Sequence, residues 1–174
     1  ALVDLAGEVA AAGGVPVAVD STFGTPVLQR PLEQGVALVM HSATKFIGGH
    51  GDVLAGVVAC AEAWAARLRR VRILTGGTLH PDAAYALHRG LATLPLRVRR
   101  AQETATVLAA HLGTHAGVGA VYHPSVPGRD PRGLVGTQMD GPGAMLSFEV
   151  LGRDGAPDGP SAFAAADGFL RALR

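Results

Sequence analysis

The 174-residue chain is 48% hydrophobic and 17% charged, enough apolar material for a buried core and too little charge for a disordered segment. Its formal net charge of +1 gives no footprint for nucleic acid or an anionic membrane surface, so neither is expected as a partner. A single cysteine, Cys60, excludes an internal disulfide framework and fits a reducing, cytoplasmic setting.

Leu2, Leu5, Ala6 and Val9 fall on one helical face, and the pattern stops at "AAGG". "VPVAVD" comes next, a short β-branched run ending in Asp20 that reads as a buried parallel strand. "STFGTP" is a loop, residues 29–35 form a short helical turn ending at Gly35, and "VALVMHS" is the next strand. After a glycine-rich loop, "VLAGVVAC" reads as another buried strand, which makes Cys60 an inert core thiol. Residues 61–72 are helical, so strand, helix and strand build an α/β layer with a mainly parallel sheet.

Pro81 and Asp82 mark a helix start, and Pro95 breaks or kinks the helical pattern around it. Beyond Gly117 come "VGAVYHP", a Gly/Pro-rich loop over 124–143, the strand "AMLSFEV", and a last helix from about 161. This change of character places a boundary near residues 90–95, with an α/β domain over 1–92 and an incomplete α+β domain over 93–174. The chain opens inside a helical pattern, ends in one at "FLRALR" and has no initiating Met, so it reads as a segment of a longer protein. No apolar run reaches the roughly 20 residues of a membrane span, and no signal-peptide pattern is present.

The stretch "HSATKFIGGHGD", residues 41–52, holds the only lysine, against fourteen arginines. A guanidinium stays protonated, whereas an ammonium can lose its proton and act as a nucleophile. In open α/β sheets ligands gather outside the carboxyl ends of the strands, where Asp20 ends one predicted strand and His41, Ser42, Thr44 and Lys45 end the next. Three chemistries use a lysine in such a place. A phosphate-binding P-loop needs its glycines before the lysine, and here they come after it. "SATK" matches the S-x-x-K pattern of serine hydrolases with Ser42 as nucleophile. However, Gly48 and Gly49 would break the required helix, and a chain with one lysine cannot supply the accompanying K-T-G element. The third is pyridoxal 5′-phosphate, which needs an amine for a Schiff base, hydroxyls or helix N–H groups for its phosphate, and a carboxylate at its pyridine nitrogen. Asp20, Ser42, Thr44 and Lys45 meet that requirement in type and location, with the amine expected to be partly buried beside "VALVM" and Phe46. His41, His50 and Asp52 are read as parts of a backbone device rather than as metal ligands, Arg89 as a structural ion-pair partner, and Trp64 and Tyr85 as packing residues.

Residues 19–58, "VDSTFGTPVLQRPLEQGVALVMHSATKFIGGHGDVLAGVV", resemble the core of the Cys/Met-metabolism PLP-dependent enzymes. That family includes cystathionine γ-synthase, cystathionine γ-lyase, methionine γ-lyase and the homoserine-ester sulfhydrylases. The likeness continues through "HPDAAYALHRGLATLPLRV" and "GAMLSFEV", and "HGDVLAGVV" stands closer to methionine γ-lyase than to the synthases. The resemblance implies part of PLP-dependent transferase fold type I, the aspartate-aminotransferase-like fold, with residues 1–92 in its large PLP-binding domain. It implies Lys45 as the Schiff-base lysine, Asp20 as partner of the pyridine nitrogen, and Ser42 and Thr44 as phosphate contacts. It further implies γ- or β-elimination or replacement on a sulfur-containing or homoserine-derived amino acid, and a homodimer or homotetramer. Ser21 departs from the family's usual Asn. The family's ring-stacking tyrosine, glycine-led phosphate loop, neighbouring-subunit Tyr and Arg, and carboxylate-binding arginine have no counterpart assigned in this chain. A truncated, non-catalytic module with the same fold is therefore the alternative.

Overall fold

A computed structural model describes Gly7, Glu8 and residues 13–173, so the helical face at Leu2, Leu5, Ala6 and Val9 lies outside the described residues. The chain divides into two compact units. One is Ala1–Arg100 with Gly136–Gly141, and the other is Ala101–Val135 with Pro142–Arg174.

In the first unit, strands β1 (Ala18–Asp20), β2 (Leu38–Ser42) and β3 (Gly56–Cys60) form one sheet in that order. β1 runs parallel to β2 with Asp20 opposite Met40. A short helix α1 (Thr25–Leu28) and a 3-10 turn (Pro31–Gln34) connect them. Gly35 closes that turn at φ 84°, a left-handed conformation that costs glycine nothing. β3 is antiparallel to β2, with Ser42 opposite Gly56 and Leu38 opposite Cys60. Residues 43–55 turn back at the end of β2 instead of crossing over the sheet, which is why this pairing reverses direction.

The apolar runs predicted strands buried on both faces. Within the described residues one face is closed, at Val39 and His41, while Met40 on the other face is 50% exposed and Val58 46%. Cys60 is accordingly half-buried rather than a core thiol. The mismatch is physical: strands with apolar residues on both faces need cover on both sides, and the described part of this unit supplies it on one.

Three helices come next. α2 (Glu62–Thr75) runs three residues beyond the predicted end and stops at Gly76, where the Gly77 N–H donates to the Arg72 carbonyl at 3.0 Å, closing the end in the manner of a glycine C-cap. Trp64 on this helix is half-buried with Arg67 over its ring. α3 (Pro81–Leu91) begins at the expected proline and buries Leu87 and Gly90, while Tyr85, expected to pack, is exposed. Pro95 falls in the first turn of α4 (Leu94–Leu112), where its missing N–H costs no hydrogen bond, so the break lies at residues 92–93. The core of the unit is Leu28, Ala43, Ile47, Val53, Leu87, Leu94 and Val98. It lies directly beneath the lysine loop.

In the second unit β4 (Val118–Tyr122) pairs antiparallel with β5 (Ser147–Val150), with an irregularity between Val118 and Val121. α5 (Gly159–Ala172) sets Phe169 edge-on against Phe148 at 5.7 Å. His123 is buried, its ring between the Ser125 hydroxyl at 2.7 Å and the Gly143 carbonyl at 3.2 Å.

Candidate active site

Asp20 is the last residue of β1, and its register with Met40 puts it on the sheet face that carries Met40 and, two residues on, Ser42. Thr22 ties the two strand ends together. Its hydroxyl donates to Asp20 Oδ1 at 2.5 Å, its amide donates to the same oxygen at 2.9 Å, and its Oγ1 accepts the Ser42 N–H at 2.7 Å. Oδ1 of Asp20 is thus occupied, leaving Oδ2 as the oxygen open to a ligand. The Thr22 hydroxyl, then its amide, hold the Asp20 carboxyl below its ordinary range, with desolvation opposing and His41 adding a smaller lowering. The result is a carboxylate kept ionised and oriented. Thr22 itself is buried. Sequence reading overlooked it, although a threonine two residues after an aspartate has the spacing of a local side-chain turn.

After Ser42 the chain makes a helical turn. The Lys45 N–H donates to Ser42 O at 3.1 Å, Gly48 N–H to Ala43 O at 2.8 Å, and Gly49 N–H to Lys45 O at 2.8 Å. Ala43 and Ile47 are both buried in the core. They are four residues apart and so share one side of the turn, which sends Lys45, midway between them, to the opposite side. Lys45 is exposed, and its amine has no hydrogen-bond partner among the described residues. The expected partial burial is not present here: Phe46 packs against the core, and Met40, at the end of the other expected apolar run, is itself exposed.

Ser42 is half-buried, and its hydroxyl likewise makes no hydrogen bond among the described residues. Thr44 faces the residue that precedes β3, its Oγ1 accepting the Ala55 N–H at 3.1 Å. The Ala55 carbonyl lies 3.5 Å from the same oxygen, the limit of a hydrogen bond, so the Thr44 hydroxyl proton remains available to a stronger acceptor. Ser21 has a buried hydroxyl with no partner among the described residues, while its carbonyl receives the Thr25 N–H at 2.8 Å and faces His41 Nδ1 at 3.0 Å.

The glycines around the turn are needed for contact. A Cβ on Gly90 of α3 would stand 2.5 Å from the Ile47 carbonyl oxygen and 2.6 Å from that of Gly48. A Cβ on Gly48 would stand 2.7 Å from Val53 Cγ1 and 2.9 Å from Ala43 O. Helix and loop therefore meet backbone to backbone. The other polar residues of the loop serve this seam. His50 Nδ1 lies 2.7 Å from Gly48 O, and Asp52 pairs with Arg89 at 3.1 Å, the ion pair that the sequence suggested for Arg89.

This end of the sheet suits pyridoxal 5′-phosphate in its chemistry: an accessible amine for the aldehyde, an ionised carboxylate with one open oxygen for the ring nitrogen, and hydroxyl donors for the phosphate. Solved structures agree on the class. A cystathionine γ-lyase from Micromonospora echinospora superposes with a TM-score of 0.83 at 38% identity, covering 87% of this chain and 40% of that one. The fold is part of the type I fold of PLP-dependent enzymes. The chain belongs to the Cys/Met metabolism PLP-dependent enzyme family, whose model matches residues 2–163. Among curated relatives, an L-methionine gamma-lyase of Brevibacterium sandarakinum is 58% identical over 151 residues, 87% of this chain and 38% of that protein. The chloroplastic cystathionine gamma-synthase 1 of Arabidopsis thaliana is 41% identical over 150 residues, 86% of this chain and 27% of that protein. The chain thus spans two fifths or less of the length of these proteins. Among the described residues no helix is long and apolar enough to cross a membrane.

Proposed function

We propose that this chain carries the cofactor-anchoring half of a PLP-dependent enzyme acting on a sulfur-containing or homoserine-derived amino acid. The reaction class is γ- or β-elimination or replacement. The observation that carries the reading is that Thr22 ties Asp20 to Ser42 at the carboxyl ends of two paired strands, with the sole lysine in the turn that follows Ser42. Pyridoxal phosphate supplies an aldehyde for covalent attachment and a ring that accepts the electron pair released at the substrate Cα.

The residues divide the remaining work. Lys45 would hold the cofactor through its amine, and that same amine, when free, would serve as the base for the substrate Cα proton. Asp20 would hold the ring nitrogen through its open oxygen, Oδ2, while Thr22 fixes the carboxylate through Oδ1. Ser42 and Thr44 would hold the phosphate through their hydroxyl protons. The 58% identity to a methionine gamma-lyase favours γ-elimination from methionine, which consumes a water and releases a thiol, ammonia and a 2-oxo acid. The domain division that goes with this reading assigns residues 1–92 to the PLP-binding domain and 93–174 to the incomplete C-terminal one. An assembly of two or four copies in the cytoplasm completes it.

Incubation with pyridoxal phosphate followed by borohydride tests the assignment. The expected result is one stable mass addition, on the peptide containing Lys45, absent in Lys45→Ala. A yellow band of unchanged intensity in Lys45→Ala would reject it.

A further inference from the structure

Arg97, in the first turns of α4, points its guanidinium away from solvent anions and into a cluster of backbone carbonyls. Nη1 donates to Phe46 O at 2.6 Å, and Nη2 to Gly90 O at 2.8 Å with Ile47 O at 3.4 Å. Nε donates to the Thr93 hydroxyl at 3.0 Å. The face of Gly49 lies against the same guanidinium, where any Cβ would collide with Nη1 and Cζ. Arg97 has no carboxylate partner among the described residues, so its charge is spent on carbonyl dipoles.

Two of those carbonyls have one thing in common. Phe46 and Ile47 directly follow Lys45, and the N–H groups after them bond elsewhere: Gly48 N–H to Ala43 and Gly49 N–H to Lys45. The chain then leaves the turn at Gly49, φ 74°. Phe46 O and Ile47 O are the orphan acceptors at the end of a helical turn, while Gly90 O, in the last turn of α3, also accepts the Thr93 N–H at 3.3 Å. A single planar fork with donors on several edges satisfies both ends at once, which a lysine ammonium could not do from one point. The partners are 50 and 51 positions away in sequence.

We propose that Arg97 is a positioning residue for Lys45: by capping the carbonyls of the two residues after it, Arg97 fixes the turn from which the amine reaches the cofactor. The proposal rests on Lys45 being the anchoring amine. A turn freed to shift by about an ångström misaligns a reacting group at a cost of up to about a hundredfold in rate. The amine nonetheless stays exposed, so its plain accessibility does not change.

Lys45 is the only lysine of the natural chain, so its modification is followed on the peptide that holds it, and in Arg97→Lys the added amine is counted separately on its own peptide. The experiment compares wild type, Arg97→Ala, Arg97→Lys and, as a control on the exposed side of the same helix, Arg99→Ala. For each, the rate of Lys45 capture by pyridoxal phosphate with borohydride is set beside its rate of acetylation by acetic anhydride, and folding is monitored by circular dichroism. Expected for Arg97→Ala is a fall of about tenfold or more in cofactor capture with acetylation within about twofold of wild type, and partial rescue in Arg97→Lys. Arg99→Ala should match wild type. Cofactor capture within about twofold of wild type in a folded Arg97→Ala overturns the proposal. So does a fall that only tracks the unfolded fraction. Should Arg97→Ala fail to fold, Arg97→Lys decides by the same ratio. If wild type itself fails to capture the cofactor at Lys45, the functional reading falls instead.

Discussion

Gly90→Ala separates local helix propensity from tertiary packing. Gly90 is the penultimate residue of α3, and on propensity alone alanine should stabilise the helix by up to about 1 kcal/mol. The structure reverses the sign. The new methyl would stand 2.5 Å from Ile47 O and 2.6 Å from Gly48 O, well inside the roughly 3.3 Å of a close C···O approach. Both atoms are backbone of a turn pinned by buried Ala43 and Ile47, so neither can swing aside as a flexible side chain would. Overpacking of this kind costs about 1–3 kcal/mol. Taking the upper part of that range for a rigid neighbour and subtracting the propensity gain leaves a net loss of about 1–2 kcal/mol. Gly168→Ala supplies the comparison, since Gly168 lies within α5 at ordinary φ with nothing within 4 Å of its virtual Cβ. There the propensity gain should stand alone, at about 0.5–1 kcal/mol. Urea unfolding of both variants, extrapolated linearly, measures each difference. A Gly90→Ala protein as stable as wild type, or more so, would refute the backbone-to-backbone seam beneath Lys45.

Thr22→Val keeps the side-chain shape but removes the hydroxyl that bridges Asp20 and the Ser42 N–H. It should cost about 1 kcal/mol and raise the Asp20 carboxyl toward its ordinary 3.8, which carbon-detected NMR titration reads directly. The same shift predicts a pH dependence. Because the folded-state value of Asp20 is depressed, its contribution is complete above about 3.8 and is lost as pH falls through the lower folded value. Acid unfolding should show that loss in wild type, and an identical acid limb in Thr22→Val would count against it. On the alkaline side, the hydrogen bond that Tyr122 donates to Glu149 raises the phenol above 10.0, with desolvation adding to it. Its stabilising share is present below 10.0 and lost as pH rises through the folded value. In a Tyr85→Phe background, spectrophotometric titration should place the tyrosinate above 10.0, and Glu149→Ala should bring it down. The Arg89–Asp52 pair is solvent-exposed on both sides, so Arg89→Ala should cost less than about 1 kcal/mol, and less still in high salt. A larger, salt-independent loss would assign Arg89 another task.

The sequence by itself determined most element types, the order of the strands in the first unit, and the family, because these rest on short-range patterns; the short helix Thr25–Leu28 reads as loop. β-branched runs, Gly35 as a stop, Pro81 as a helix opening, and one lysine among fourteen arginines are all legible within a few residues, whereas the stop at Gly76 and the opening at Pro95 are not. Tertiary structure alone decided the direction of β3, the exposure of Met40 and Val58, and the outward turn of Lys45. It alone revealed the Thr22 bridge between two strand ends and the grip of Arg97 on carbonyls some 50 positions away. A hydrogen bond to a backbone carbonyl leaves no mark on the identity of the residue that offers it. Side-chain periodicity records which residues face inward, but not which distant backbone they will meet there.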